Sequence, residues 1–380
     1  MATLPRRRNT RTVWVGDVPI GGGHPISIQT MTKTDTRDVP ATLTEIRAVA
    51  RAGADLVRLA VPDSEAAAAL SPICSESPIP VVADIHFDYR LAVSALDAGV
   101  SKIRLNPGNI GDPRQIREVL DRAGAENIPI RIGINAGSLP DAIQNQFGLT
   151  PEALVAAAEE QLEIMEAAGF KAVIVSLKAS SVLLTVRANE LMSTATDCPL
   201  HIGITEAGSP ARGAIKSASG LGYLLGQGIG DTLRVSLTGD PVEEVRVAAA
   251  ILSSWGLRRS GPDVISCPMC GRCRVDLMGI VEAVEHRLAK VEESIQVAVM
   301  GCEVNGPGEA RHADVGLACG AGFGVLMYRG EIVKRVPESL MVEELMALVH
   351  QYLAEHREGS GPEGPTREEG GEDEDACAIE

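Results

Sequence analysis

Ile130-Arg131-Ile132-Gly133-Ile134-Asn135-Ala136-Gly137-Ser138 is an apolar run carrying one cation and ending in an Asn/Gly turn. A strand with one wet face alternates apolar and polar residues, whereas a strand covered on both faces, as in a parallel sheet, is apolar at nearly every position. Ile130–Ile134 is of the second kind, and the helical pattern of Pro151–Ala168 follows it. The same unit recurs in both directions. Strands are expected at Ile26–Met31, Leu56–Ala60, Val81–Ile85, Lys102–Leu105, Ala172–Ser176, Leu200–Ile204 and Thr232–Ser236, with helices between them such as Ala41–Ala52, Arg90–Ala98, Ala211–Gln227 and Pro241–Ser253. Eight strand–helix units in about 250 residues make a TIM (β/α)8 barrel, an α/β fold. The period alone leaves a doubly wound parallel sheet open.

After Ser253 the alternation stops at Gly256-Leu257-Arg258-Arg259-Ser260-Gly261-Pro262, a linker by composition. Beyond it, strands are expected near Val264–Ser266, Gln296–Gly301, Val315–Cys319, Phe323–Tyr328 and Glu331–Lys334, and helices near Asp276–Val291 and Pro337–His356. The chain therefore divides into a barrel (1–255), a linker (256–263), a small α+β domain (264–356) and an acidic tail (357–380). The tail is expected to be disordered, because it carries nine acidic residues against two arginines and has almost nothing to bury.

The smaller domain holds Cys267-Pro268-Met269-Cys270 and Gly301-Cys302-Glu303-Val304-Asn305-Gly306-Pro307-Gly308-Glu309. Two thiols three positions apart, joined by a third in a Gly/Pro-rich turn, are a thiolate set for one metal or cluster. They are one short of the four cysteines that most iron–sulfur clusters use, and Glu309, on the loop of Cys302, is the candidate fourth ligand. Spacing leaves two other sets open: a structural zinc completed by Cys273 and Cys319, and a Cys267, Cys270, Cys273 trio spaced as in bacterial ferredoxins.

Composition narrows the function classes. The 380 residues are 45% hydrophobic but only 3% aromatic, so the core must be built mostly of Val, Ile, Leu and Ala. A net charge of -16 argues against a nucleic-acid partner. Arg6-Arg7-Arg8 precede no long apolar run, so neither a secretory signal nor a membrane anchor is expected. Eight cysteines without an export signal read as reduced thiols in a cytoplasm.

Functional groups of a TIM barrel sit at the C-terminal ends of its strands. Read for charges that a buried strand should not tolerate, the expected strands give Arg58, Asp84 with His86, Arg104 with Asn106, Arg131 with Asn135, Lys178, Thr205 with Glu206, and Arg234 with Ser236. One such arginine is readily a structural ion pair. Five cations converging from different strands imply a polyanionic ligand, because burying positive charge without an anion is costly, and guanidinium forks and ammonium groups suit phosphate oxygens. Glu206 is the odd charge among them, either a partner for Arg234 or Lys178 or a proton donor.

The cysteine stretches, at this separation, resemble the cluster-binding signature of the 4-hydroxy-3-methylbut-2-enyl diphosphate synthase family. Further stretches resemble its barrel motifs: Ala83–Phe87, Arg104–Gly111, Arg131–Ser138, His201–Gly208 and Gly228–Ser236. The resemblance runs from Val13 to about Leu348. It implies a TIM barrel followed by a small α+β iron–sulfur domain, and a 4Fe-4S cluster held by Cys267, Cys270, Cys302 and Glu309. It implies reductive ring opening and dehydration of 2-C-methyl-D-erythritol 2,4-cyclodiphosphate to 4-hydroxy-3-methylbut-2-enyl diphosphate, in the methylerythritol phosphate route to isoprenoids. Substrate contacts would fall on Arg58, Arg104, Asn106, Arg131, Asn135, Lys178, Thr205, Arg234 and Ser236, with Glu206 in an acid/base role and Asp84 and His86 as a proton relay. No flavin or nicotinamide fingerprint stands out, so electrons would come from a flavodoxin or ferredoxin. The family's homodimer, in which one subunit's cluster domain caps the other's barrel, is implied as well.

Two readings from other classes compete on the residues alone. One is a zinc-stabilised aldolase with Lys178 as Schiff-base nucleophile, and the other an iron–sulfur redox sensor whose barrel binds a diphosphate effector.

Overall fold

The computed structural model describes residues 6–85, 88–105, 112–258, 261–289, 291, 293–302, 304 and 306–359. They fall into two compact units that divide after Arg259.

The first unit opens with a hairpin, β1 (Val13–Val15) and β2 (Val18–Ile20). The barrel strands follow: β3 (Ser27–Met31), β4 (Leu56–Ala60), β5 (Val81–Asp84), β6 (Lys102–Leu105), β7 (Ile130–Asn135), β8 (Val173–Lys178), β9 (His201–Ile202) and β10 (Thr232–Leu233). All pair in parallel in the order β8-β7-β6-β5-β4-β3-β10-β9, and a parallel bridge from Val175 to Leu200 brings the two ends of that order together. This is the TIM barrel, and the doubly wound alternative is excluded. The last two strands are shorter than the apolar runs Leu200–Ile204 and Thr232–Ser236 suggest.

The outer helices are α1 (Val39–Arg51), α2 (Ser64–Glu76), α3 (Tyr89–Asp97), α4 (Pro113–Ala125), α5 (Asp141–Phe147), α6 (Pro151–Ala167), α7 (Val182–Ala195), α8 (Pro210–Gly226) and α9 (Pro241–Ser254). Their starts are set locally: Asp38, Asp63, Asp88, Asp112, Thr150, Ser181 and Asp240 each accept from a first-turn N–H. The inner stripes of these helices and the outer faces of the strands make one continuous core.

The hairpin closes the barrel's N-terminal end. Val13, Val15 and Ile20 pack on Leu56, Val82 and Ile174, which stand at or near the starts of β4, β5 and β8. The basic run ahead of it is structural. Arg7 Nη2 pairs with Asp231 at 2.9 Å and Arg8 Nη1 donates to the Ser193 carbonyl at 3.0 Å, which straps the segment across the same end.

The second unit holds β11 (Pro262–Ser266), α10 (Leu277–Leu288), β12 (Ile295–Met300), the short α11 (Gly306–Ala310), β13 (Val315–Gly320), β14 (Phe323–Tyr328), β15 (Glu331–Pro337) and α12 (Met341–Gly359). Its sheet is mixed, in the order β11-β12-β13-β14-β15, parallel from β11 to β13 and antiparallel beyond. α10 and α12 cover the sheet over a core of Leu277, Val297, Leu317 and Leu345. Two details differ from the sequence reading. The segment after Asn305 is a turn of helix rather than open loop, and α12 runs past His356 to Gly359. No helix among the described residues is long and apolar enough to cross a membrane.

Candidate active site

Strand parity decides what faces the barrel interior. Arg58, Asp84, Arg104, Arg131, Asn135, Lys178, Thr205, Arg234 and Ser236, together with Gly133, line one cavity of about 110 Å³. All but Gly133 were singled out by sequence. His86 and Asn106 lie outside the described residues. Glu206 is exposed and does not line the cavity; its φ of 52° is left-handed, a strained conformation for a residue with a β-carbon.

Within the cavity Asp84 is the anchor. Arg104 Nη1 donates to its Oδ1 at 3.3 Å, and Arg58 Nε stands 3.6 Å from its Oδ2. Arg104 Nη2 also reaches the Gly133 carbonyl at 3.2 Å. Arg131, only 2% exposed, donates to Ser176 Oγ at 2.7 Å through Nη1, while its Nε and Nη2 have no partner among the described residues. Burial pushes the Arg131 and Lys178 side chains well below their ordinary pKa values, and the neighbouring cations push further. Arg234 falls to about 10, by burial first and then by Arg58. An arginine holds its charge regardless, and cations buried beside one another are costly to keep without an anion.

Two glycines make room for these side chains. A Cβ on Gly133 would stand 2.6 Å from Arg104 Nε, and one on Gly203 2.6 Å from Lys178 Nζ. Glycine inside a strand pattern is the sequence signal for such close approach.

Four side chains escaped the sequence reading. Glu244, 1% exposed on α9, accepts from Thr30 Oγ1 at 2.9 Å, Lys33 Nζ at 2.8 Å and the Leu237 N–H at 3.1 Å, and stands 3.5 Å from Arg234 Nη2. In sequence it is one more acid in a helix's first turn. Met31 takes contacts from Arg58 and Arg234. Lys102 and His201, both fully buried, carry Nζ and Nε2 atoms with no partner among the described residues.

In the second unit Cys267, Cys270, Cys302 and Glu309 line one cavity of about 350 Å³, with Arg272, Gly301 and Gly306. No three Cys, His, Asp or Glu side chains among the described residues converge on a single ion site. Donors spread around a cavity suit an inorganic core several atoms across. Gly301 N–H donates to Cys267 Sγ at 3.2 Å, and a Cβ on Gly301 would stand 2.8 Å from Cys273 Sγ. Arg272, through its backbone N–H and then its guanidinium, lowers the Cys270 thiol. Cys273 does not line the cavity; its thiol donates to the Val275 carbonyl at 3.4 Å. Cys319 is buried in the core, where burial pushes its thiol up to about 12. Neither lines the cavity.

Residues 10–249 match the GcpE TIM-barrel domain and residues 263–351 the GcpE protein C-terminal domain. The chain belongs to the GcpE family. Among GcpE relatives, one from Geobacter sulfurreducens is 54% identical over 350 residues, 92% of this chain and 99% of the relative. Others from Maridesulfovibrio salexigens and Clostridium perfringens are each 50% identical, over 92% and 90% of this chain and 99% of theirs. All three bear the name 4-hydroxy-3-methylbut-2-en-1-yl diphosphate synthase (flavodoxin).

Proposed function

We propose that the chain is an iron–sulfur oxidoreductase that converts 2-C-methyl-D-erythritol 2,4-cyclodiphosphate to 4-hydroxy-3-methylbut-2-enyl diphosphate. Two electrons and two protons enter, the carbon–oxygen bond that closes the ring onto the diphosphate breaks, and one hydroxyl leaves as water. The observation that carries the reading is the barrel cavity: Arg58, Arg104, Arg131, Lys178 and Arg234, from five positions around the ring, line one opening, and two nitrogens of Arg131 lack partners among the described residues.

The five cations hold the diphosphate, while Asn135, Thr205 and Ser236 supply neutral hydrogen bonds for the hydroxyl groups. Asp84 fixes the forks of Arg58 and Arg104 rather than meeting the anion, and with His86 it relays protons. Glu206, next to Thr205, protonates the departing oxygen; its exposure means it must swing toward the cavity to do so. Cys267, Cys270, Cys302 and Glu309 would hold a 4Fe-4S cluster, with Glu309 the one hard donor among soft thiolates and therefore the ligand that yields. When bound, that cluster supplies electrons one at a time. A flavodoxin, the carrier in the relatives' names, or a ferredoxin delivers them. The working unit we propose is a homodimer of a barrel (1–255), a linker (256–263) and a cluster domain (264–356) that caps the partner's barrel.

Iron and sulfide content of anaerobically purified protein, together with reductant-dependent consumption of the cyclodiphosphate, tests the reading. Colourless, iron-free protein with full activity refutes it. Glu206→Gln should abolish turnover and leave the cluster spectrum intact; unchanged activity removes Glu206 from the acid/base role.

A further inference from the structure

Met31 is the last residue of β3, the strand that lies between β4 and β10. Across the β3–β4 ladder it is the register partner of Arg58. Arg234 follows the end of β10 on the other side. Arg58 Nε and Nη2 donate to Met31 Sδ at 3.3 and 3.0 Å, and Arg234 Nη1 stands 3.7 Å from the same sulfur. The side chain does not itself line the cavity. Two guanidinium ions therefore meet on one neutral thioether, directly behind the wall they help to form.

The chemistry of that position restricts what can stand there. Two like charges held close repel, and the N–H groups that meet the sulfur need an acceptor if they are not to be left bare. A carboxylate would satisfy both demands, but Asp84 and Glu244 already stand against the cavity's cations, and another would remove more of the positive charge that attracts an anion. An aliphatic side chain would keep the charge and leave the N–H groups without an acceptor. A thioether accepts weakly, is polarizable, and carries no charge.

We infer that Met31 is a positioning residue for the barrel site, its sulfur bridging Arg58 and Arg234 so that both forks face the diphosphate with the cavity's charge undiminished. The inference rests on reading that cavity as a diphosphate site. It also makes a prediction that simple packing does not. If Met31 were a hydrophobic filler, Leu would replace it better than Gln, since Met and Leu exchange readily in cores. As an acceptor it is replaced better by Gln, whose amide oxygen takes the same hydrogen bonds.

The test is the affinity of the full-length, cluster-loaded chain for inorganic pyrophosphate, by calorimetry, with thermal melts alongside. Met31→Leu should bind about tenfold more weakly than wild type, Met31→Gln within about threefold of it, and Met31→Glu about a hundredfold more weakly. In turnover, Met31→Leu should raise KM and leave kcat within about threefold. Leu binding as well as or better than Gln overturns the inference and leaves the diphosphate reading standing, and so does a Gln variant that melts below the assay temperature. Failure of wild type to bind pyrophosphate removes both.

Discussion

Replacing Lys102 by Met should make the protein more stable, and more so as the solution becomes less alkaline. Lys102 opens β6 two residues before Arg104, is fully buried, and its Nζ has no hydrogen-bond partner among the described residues. Burial, with Arg131 and Arg58 nearby, pushes its pKa well below the ordinary 10.5. Met keeps the unbranched shape and removes the amine, so the gain at high pH is the cost of one unsatisfied buried polar group, about 1–3 kcal/mol. For a base with a depressed folded pKa, the unfolded chain binds the extra proton, so stability rises with pH up to about 10.5 and is lost below it. Each pH unit over which the folded amine stays neutral costs wild type about 1.4 kcal/mol. The advantage of Lys102→Met should therefore be larger at pH 8 than at pH 10. Urea denaturation of both chains at pH 8, 9 and 10 measures it. A variant less stable than wild type, or an advantage that does not change with pH, refutes the reasoning, because either means that the ammonium is charged and held by a partner.

Arg131→Met should raise the unfolding free energy by about 1–3 kcal/mol, since two unpartnered buried nitrogens are removed, and weaken pyrophosphate binding by about a hundredfold; melts and calorimetry on one preparation read both. Glu244→Gln should cost about 3 kcal/mol in denaturant titration, the typical penalty for leaving a buried cation without its counter-ion, and should weaken pyrophosphate binding through Arg234. Cys273→Ser should leave iron and sulfide per chain unchanged, whereas Cys302→Ser should lower both, as read by metal analysis after anaerobic purification. Glu309→Ala should keep the three thiolates and alter the electron-spin-resonance spectrum.

The barrel was legible because buried parallel strands announce themselves. Lys102–Leu105 and Leu56–Ala60 begin and end in the structure where the sequence places them, each bounded by turn residues. The hairpin was passed over because strands of three residues give no period to read, although Val13-Trp14-Val15-Gly16-Asp17-Val18-Pro19-Ile20 carries a two-residue turn with Gly16 at a φ of 60°. Charged residues at the mouth could be found one strand at a time, since each is anomalous in its own run. Glu244 and Met31 could not, because an acid in a first helical turn and a methionine at a strand end are ordinary until the fold sets arginines against them. The cavity of the second unit was legible as a donor set, but the role of Gly301 depends on how close two sulfurs come to its backbone, which no spacing encodes.

The hairpin across the N-terminal end has a kinetic consequence. With that end stoppered by Val13, Val15 and Ile20, the well is closed there among the described residues, so arrival and departure share the opposite end. A spent molecule has to back out before a fresh one enters, and whatever covers the doorway governs both the delay before reaction and the delay after it.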